Sequence, residues 1–220
     1  KHGKIEGDEG AWLGGAYKPF DPSNKDNLTP RVELDRFSTR KDLLKGLDAA
    51  AVASRSANSV DFYKGQAYDV ILGSAKDAFA VEKENEKTKA LYGSTKAKDI
   101  GEQLLLARRL VEYGTRFVTL HYGGWDMHSN VSNALKTRVP PVDKAIAGFI
   151  QDVSDRGLGD KVLLVVTGEF GRTKINANAG RDHWPSITPM FMFGGEYAAG
   201  RTIGEADRSY SPTERPDTES

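Results

Sequence analysis

The chain has no cysteine among its 220 residues, which excludes disulfides, thiolate catalysis and cysteine-ligated zinc. It also lacks an excess of charge, because 31 Lys and Arg residues are balanced by 31 Asp and Glu residues. Nucleic-acid-binding proteins normally carry a basic excess, so we expect no nucleic-acid partner. No apolar run approaches the roughly 20 residues that span a membrane, and no signal sequence is predicted at the start. We therefore expect no membrane partner.

The sequence does contain enough apolar residues for a globular core, since 38% of the chain is hydrophobic. Residues 1–37 are rich in Gly, Asp, Asn and Pro, and they predict an irregular N-terminal arm. Residues 38–220 predict the main domain. Apolar residues at helical spacing predict helices at residues 38–54, 60–72 and 100–113, and a short helix after Ser74.

Two apolar segments flank a long helical stretch in the second half of the chain. Residues 116–121 and 162–166 predict strands, and Pro140–Pro141 interrupts or restarts the helix between them. A strand, a helical crossover and a strand predict two parallel neighbours. Residues 162–166 show no polar alternation, which is typical of a strand buried on both faces. With a third, antiparallel strand at residues 190–193, the predicted fold class is α/β with a mostly parallel sheet.

Ligand-type side chains follow the ends of these strands. Asp126 and His128 come after the first strand, Glu169 comes after the second, and His183 lies in the long connection 168–187. A loop of that length in a compact domain is usually functional or disordered. Because ligands bind at the carboxyl ends of strands in open α/β sheets, we expect the four side chains to meet at one sheet edge. Two carboxylates and two imidazoles are the ligand set favoured by zinc, manganese or iron.

Each of these residues also has a plain structural interpretation. An Asp or Glu after a strand commonly caps the next helix, and a single His is more often a hydrogen-bonded structural residue than a ligand. Arg172 and Arg181 would either hold an anionic group of a substrate or neutralise Glu169 and Asp182. No catalytic nucleophile stands out, because the nearby hydroxyl groups lack the sequence setting of a nucleophile elbow.

The segments around the candidate ligands resemble a known family. From about Trp12 to Thr213 the sequence is similar to the bacterial "domain of unknown function 1501" proteins, which are grouped with the alkaline phosphatase and sulfatase-like superfamily. The blocks that carry the likeness are Gly123-Gly124-Trp125-Asp126-Met127-His128, Val166-Thr167-Gly168-Glu169-Phe170-Gly171-Arg172-Thr173 and Gly180-Arg181-Asp182-His183-Trp184-Pro185.

The resemblance implies an α/β/α sandwich with a one- or two-metal centre that hydrolyses phosphate or sulfate esters. Carried over by position, Asp126, His128 and His183 match metal ligands, and Glu169 stands where relatives carry an Asp ligand. The implied cofactor is a divalent metal, with zinc, manganese and calcium as candidates. The implied partner is an anionic small-molecule or polysaccharide ester. Relatives often carry export signals, so the resemblance favours a periplasmic or extracellular protein.

The likeness covers roughly the second half of a full-length family member. Residues 1–37 contain nothing like the strand that delivers a metal-binding Asp and the nucleophile in relatives, so we expect an incomplete sheet, in a fragment or a natural short form.

Two main hypotheses follow: a metal-dependent hydrolase of phosphate or sulfate esters, and a non-catalytic relative that binds a polyanion such as a sulfated polysaccharide. A glycosidase that uses Asp126 and Glu169 as its carboxylate pair is the third, and it gives the histidines no role.

Overall fold

The computed structural model describes residues 33, 35–36, 39–40, 42–43, 75–96, 98–195 and 200–209. The chain divides into two compact units, Lys1–Ala80 and Val81–Ser220. Of the helix predicted at 38–54, residues 39–40 and 42–43 are described and are helical; its remainder and the helix predicted at 60–72 lie outside the described residues, as does the predicted N-terminal arm apart from residues 33 and 35–36. A short helix, α1 (Ala75–Ala78), follows Ser74 as predicted.

The second unit begins with a helical layer. A 3-10 turn (Val81–Lys83) leads to α2 (Glu86–Leu91), α3 (Ile100–Glu112) and α4 (Val131–Asp155). The helix predicted at residues 100–113 is confirmed by α3. It begins after Asp99, whose side chain accepts a hydrogen bond from the backbone N–H of Glu102 at 2.8 Å. This N-cap satisfies one of the donors that a helix start leaves without a partner.

Helix α4 runs without a break through Pro140 and Pro141, so the predicted interruption is wrong. Neither proline can donate to the carbonyl one turn earlier, and such a position in a helix interior costs on the order of 3 kcal/mol. Those carbonyls belong to Lys136 and Thr137, which are both exposed, as are the prolines. Water can therefore hydrate the carbonyls, and packing of the following half of the helix offsets the remaining cost.

The core lies between α3, α4 and the segment around α2. Its buried residues include Leu104, Leu105, Phe149 and Val153. Two glycines permit the close approach of these elements. A Cβ at Gly148 would lie 2.5 Å from the carbonyl oxygen of Leu91, and a Cβ at Gly101 would lie 2.5 Å from that of Tyr92, both well inside van der Waals contact. Val162 joins the same core, so the helical layer and the first strand share one hydrophobic cluster.

Four strands form two separate antiparallel pairs. Strand β1 (Leu163–Thr167) pairs with β4 (Met190–Gly194), with Val165 opposite Met192. Strand β2 (Gly171–Ile175) pairs with β3 (Arg181–Trp184). The class is therefore mixed α/β, and the antiparallel third strand predicted at 190–193 is confirmed. The predicted parallel pairing is wrong, because residues 116–121 have no strand pairing and β1 has β4 as its neighbour in the described part of the chain.

Residues 116–121 show why composition alone did not make a strand. Val118 and Leu120 are half-buried, whereas Phe117 is 86% exposed. The alternation suits a strand, but a ladder also needs a partner backbone, and β-propensity depends strongly on such context. Strand β1 is likewise not buried on both faces, because Leu163 and Val165 are each 44% exposed. One face of β1 packs on the core through Leu164, and the other meets solvent.

A network of ion pairs lies inside the helical layer, and we call it the Arg108 network. Arg108 is 1% exposed; its Nη2 lies 2.6 Å from Glu84 Oε2, and its Nη1 binds Glu112. Its Nε lies 2.8 Å from Asp152 Oδ2 but without hydrogen-bond alignment. The network contains three carboxylates, three guanidinium groups and one phenol: Glu84, Glu112, Asp152, Arg108, Arg109, Arg156 and Tyr92.

Burial makes the charge state of this network depend on its internal partners. Burial by itself raises the pKa of Glu84, but hydrogen bonds from Arg108 and Arg109 outweigh it and lower the pKa below its usual value. Burial and the hydrogen bond to Asp152 raise the pKa of Tyr92, whose hydroxyl donates to Asp152 Oδ2 at 2.8 Å. Tyr92 therefore remains a neutral donor.

Among the described helices, none has the length and apolar character needed to cross a bilayer.

Candidate metal centre

The loop predicted at residues 168–187 contains the β2–β3 hairpin, and its turn is joined to the segment before α4. The backbone N–H of Arg181 donates to the Met127 carbonyl at 3.0 Å, and that of Val131 donates to Ala179 at 2.8 Å. An isolated bridge pairs Ser129 with Ala179. These bonds hold residues 127–131 against the hairpin, so histidines that are far apart in sequence share one scaffold.

Gly180 permits the closest contact in this scaffold. A Cβ at this position would lie 1.9 Å from the carbonyl carbon of His128, a distance at which the two backbones would have to separate. Only glycine fits such an approach without displacement. The requirement for glycine here is therefore steric and applies directly beside a candidate ligand.

Asp126, His128 and His183 meet at the end of the hairpin. The Nε2 atoms of both histidines lie 2.9 Å from Asp126 Oδ1. One ligand atom from each of the three residues lies within 4.8 Å of the other two. We call this group the ligand cluster. Both histidine side chains are 47% exposed and Asp126 is 60% exposed, so the cluster is open to solvent.

Asp182 holds the second nitrogen of His128. Its Oδ1 lies 2.8 Å from His128 Nδ1, and the same carboxylate receives hydrogen bonds from Asn176. The hydrogen bond to Asp182 raises the pKa of His128, with the charge of Asp126 adding to the effect. Reciprocally, the hydrogen bonds from His128 and Asn176 lower the pKa of Asp182. Since both carboxylates only accept, His128 satisfies them together when both ring nitrogens carry protons.

Asp126 is bound by three donors at one oxygen. Arg172 Nη1 lies 2.6 Å from Oδ1, beside the two histidine nitrogens. Hydrogen bonds from Arg172 and His183 lower the pKa of Asp126 well below its usual range. The carboxylate is therefore ionised at any physiological pH and is ready to act as a ligand.

The two other residues predicted for the site lie differently. Glu169 is outside the ligand cluster, with its Oε1 3.9 Å from Arg172 Nη2. Arg181 donates from Nε to the Thr173 carbonyl and from Nη2 to the Arg172 carbonyl at 3.1 Å. It is thus engaged with the backbone of its own hairpin, whereas Arg172 lies beside the cluster.

Sequence reasoning did not assign site roles to Asp182, Asn176 or Phe170. The ring centroids of Phe170 and His183 are 4.5 Å apart, and Arg172 Cζ lies 5.4 Å from the centroid of the Phe170 ring. The run of Asn, Ala and Gly at residues 176–180 is a hairpin-turn signal. Had residues 171–184 been interpreted as a hairpin, Asp182 would have followed as a neighbour of the ligands.

The donor set fits a divalent metal with nitrogen and oxygen ligands. Two ligand atoms bound tetrahedrally to zinc are about 3.4 Å apart, given bonds of about 2.1 Å. The 2.9 Å separations in the cluster are close to this value, and small side-chain shifts would reach it. Asp182 on His128 Nδ1 matches the carboxylate–histidine arrangement that orients imidazole ligands. Zinc, manganese and iron fit two imidazoles and one carboxylate, whereas calcium prefers an all-oxygen set.

One protein-family model matches almost the whole chain. Residues 3–217 match the family described as "Protein of unknown function (DUF1501)". The chain belongs to the DUF1501 family. The resemblance noted from the sequence blocks is thereby confirmed at the level of the family. Comparison of this DUF1501 chain with curated proteins and with solved structures gave no match.

Proposed function

We propose that this DUF1501 chain is a metal-dependent hydrolase of phosphate or sulfate esters. The convergence of Asp126 Oδ1 with the Nε2 atoms of His128 and His183 carries the proposal. The substrate class comes from the likeness of the blocks around these residues to the alkaline phosphatase and sulfatase-like superfamily, which we propose as a distant relationship. That relationship rests on the site blocks, because the strand pairing observed here is antiparallel.

In this proposal, Asp126, His128 and His183 hold the ion through one oxygen and two nitrogens. When bound, a divalent metal polarises an ester oxygen and lowers the pKa of a bound water. Asp182 keeps the proton on Nδ1 of His128, so that Nε2 is the nitrogen that binds. Ion binding requires His128 to be neutral at Nε2, so a proton must leave this group.

Arg172 is the residue that we assign to the substrate anion. Its guanidinium already contacts Asp126, which places a fixed positive charge directly beside the ligand cluster. A guanidinium can hold two oxygens of a phosphate or sulfate group. Glu169 Oε1 lies 3.9 Å from Nη2 of the same guanidinium. Arg181 does not share this role, because two backbone carbonyls occupy its guanidinium.

Water is the nucleophile in this proposal, because the hydroxyls of Thr167 and Thr173 are hydrogen-bonded to the backbone. Thr167 Oγ1 donates to the Pro189 carbonyl at 3.2 Å. Thr173 Oγ1 donates to the Lys174 carbonyl at 2.9 Å and accepts from the backbone N–H of Asp182 at 3.0 Å. These contacts position the hairpin rather than expose a reactive oxygen. The alternative of a non-catalytic polyanion-binding protein has less support, because it gives the convergence of Asp126, His128 and His183 no role.

Metal content tests the proposal directly. Wild-type protein, purified and incubated with zinc or manganese, should retain about one ion per chain after desalting, and His183→Ala should retain far less. His121→Ala is a matched control, because His121 is an exposed histidine outside the ligand cluster. Equal metal content in wild type and His183→Ala would remove the proposed centre.

Turnover then separates hydrolysis from binding. The metal-loaded protein should hydrolyse an aryl phosphate or an aryl sulfate, and Arg172→Lys should raise KM because a point charge replaces a bidentate group. Absence of turnover with both esters, in protein that holds its metal, would favour the polyanion-binding alternative.

A further inference from the structure

Asn176 joins the hairpin to the segment that carries His128. Its half-buried side-chain amide lies at the start of the hairpin turn. Its Oδ1 accepts hydrogen bonds from the backbone N–H groups of Asn178 and Gly180, both at 3.0 Å. Because backbone N–H groups only donate, these contacts establish which end of the amide is the oxygen. The orientation of Nδ2 follows from them.

Nδ2 of Asn176 meets three acceptors. It lies 3.2 Å from each carboxylate oxygen of Asp182 and 3.3 Å from the carbonyl oxygen of His128. The amide has two N–H bonds, so one serves the carboxylate and the other serves the carbonyl. A single planar group thus holds the backbone of one candidate ligand together with the carboxylate that contacts its ring.

The position of Asp182 decides how the His128 ring is oriented. Asp182 Oδ1 lies 2.8 Å from Nδ1, and a carboxylate can only accept there, so Nδ1 carries a proton. Nε2 is then the nitrogen directed at Asp126. Without Asn176, the exposed carboxylate of Asp182 would lose the amide that lies 3.2 Å from both of its oxygens and could rotate away. The ring of His128 would then lose the contact that selects Nε2.

We propose that Asn176 is a positioning residue of the metal centre, which fixes the His128 ring through Asp182 and through the His128 carbonyl. Its effect on metal affinity rests on the proposed function, but its effect on the ring is a property of the metal-free protein. Groups that orient metal ligands commonly change metal affinity about 10- to 100-fold when they are removed.

Zinc titration calorimetry on a set of variants tests this role. Asn176→Ala and Asp182→Asn should each bind zinc at least about tenfold more weakly than wild type. The double variant should bind zinc about as weakly as Asp182→Asn alone. Its loss of affinity should be much smaller than the product of the two single losses, because Asn176 acts largely through Asp182. Asn178→Ala is the matched control and should bind as wild type does, since its backbone N–H remains. Wild-type affinity in Asn176→Ala, or losses that multiply in the double variant, would overturn the proposal.

Asn176→Asp distinguishes loss of the Nδ2 donor from disruption of the hairpin turn. It retains an oxygen for the two backbone N–H groups but removes the donor to Asp182, so it should also weaken zinc binding. Asn178→Asp adds the same charge to the same turn and supplies the baseline. If Asn176→Asp binds as tightly as Asn178→Asp, the donor has no positioning role.

A second measurement does not need the metal. In metal-free wild type, proton NMR at a pH where both ring nitrogens of His128 are protonated should show its Nδ1–H signal shifted downfield by the hydrogen bond to Asp182, and Asn176→Ala should lose or broaden this signal. If wild type takes up no zinc, the proposed function fails while this spectrum still decides the role of Asn176. An unchanged His128 spectrum in Asn176→Ala would refute it.

Discussion

Two charged clusters in this chain have similar contacts and opposite surroundings. In the Arg108 network, one guanidinium is surrounded by three carboxylates and is 1% exposed. In the ligand cluster, one carboxylate oxygen is surrounded by three nitrogen donors, and the Asp126 side chain is 60% exposed. Each is a central charge with three opposite or donating partners. Solvent access is the main physical difference between them.

That difference determines what each cluster can do. Charges inside a protein must be fully paired, because an unpaired buried charge is very costly. Three carboxylates and three guanidinium groups meet that requirement in the Arg108 network, which therefore has no capacity for a further ion. Exposed ion pairs stabilise a fold only slightly, so the ligand cluster can exchange partners at small cost. The buried cluster stabilises the fold, whereas the exposed one is open for the metal binding that we propose.

The largest expected effect comes from removing the central guanidinium. Arg108→Met leaves three carboxylates with two guanidinium groups, and we expect the free energy of unfolding to fall by roughly 3–5 kcal/mol. Chemical denaturation measures it. Arg109→Met, which removes a partner of Glu84 at the side of the network, should cost less. Loss of metal binding by the folded fraction of Arg108→Met would contradict the separation of the two clusters.

Removing one carboxylate of the network should have a smaller, pH-dependent effect. Glu84→Gln removes the charge that Arg108 and Arg109 share but keeps an acceptor oxygen for them, so we expect a loss of roughly 1.5–3 kcal/mol. Because the folded-state pKa of Glu84 is lowered, its stabilisation is complete above the unfolded pKa of about 4.3. It is lost as the pH falls through the folded-state pKa. Denaturation at several pH values should therefore show the wild-type advantage shrinking only below about pH 4, and a pH-independent difference would contradict this assignment.

The equivalent change in the ligand cluster should alter binding rather than folding. In Asp182→Asn, the pKa of His128 should fall, because the hydrogen bond to the charged Asp182 carboxylate that raises it is removed. Metal binds the neutral ring, so wild-type affinity should decline as the pH falls through the raised pKa, and the midpoint of Asp182→Asn should lie at lower pH. At alkaline pH the variant should bind about tenfold more weakly. Calorimetric zinc titrations across pH measure both, and an unchanged midpoint would contradict the role of Asp182.

The smallest effect is expected for Glu169. Its carboxylate lies outside the ligand cluster and contacts Arg172 only at 3.9 Å. Glu169→Gln should therefore keep the metal content of wild type and a similar melting temperature, as elemental analysis and thermal denaturation would show. Loss of the ion in this variant would restore the sequence-based assignment of Glu169 as a fourth ligand.

Helical periodicity was readable from the sequence. Helix α3 follows from its apolar spacing, whereas the structure identified Asp99 as its N-cap. The antiparallel direction of β4 follows from the absence of a crossover helix before it. These features depend on neighbours in the chain, which a single sequence displays.

Strand partners were not readable in the same way. Residues 116–121 have strand-like composition, yet pairing depends on which backbone lies alongside, and within the described ranges no backbone pairs with them. The convergence of Asp126, His128 and His183 was expected from a parallel sheet edge, whereas the structure brings them together through a hairpin turn bonded to residues 127–131. The role that we propose for Asn176 depends on acceptors from two residues, Asp182 and His128, which lie on separate segments, and no spacing rule indicates it.

The prolines of α4 divide that helix into two parts with different contacts. Because Pro140 and Pro141 have no backbone N–H, the carbonyls of Lys136 and Thr137 lack their usual helical hydrogen bonds. The helix is therefore weakest between its first two turns and its packed C-terminal part. The first part begins at Val131, which is bonded to the hairpin turn, and the second part carries Phe149 and Val153 into the core. Local opening of the helix near residue 137 would therefore let its first turns, next to His128, move while the core around Phe149 and Val153 remains packed.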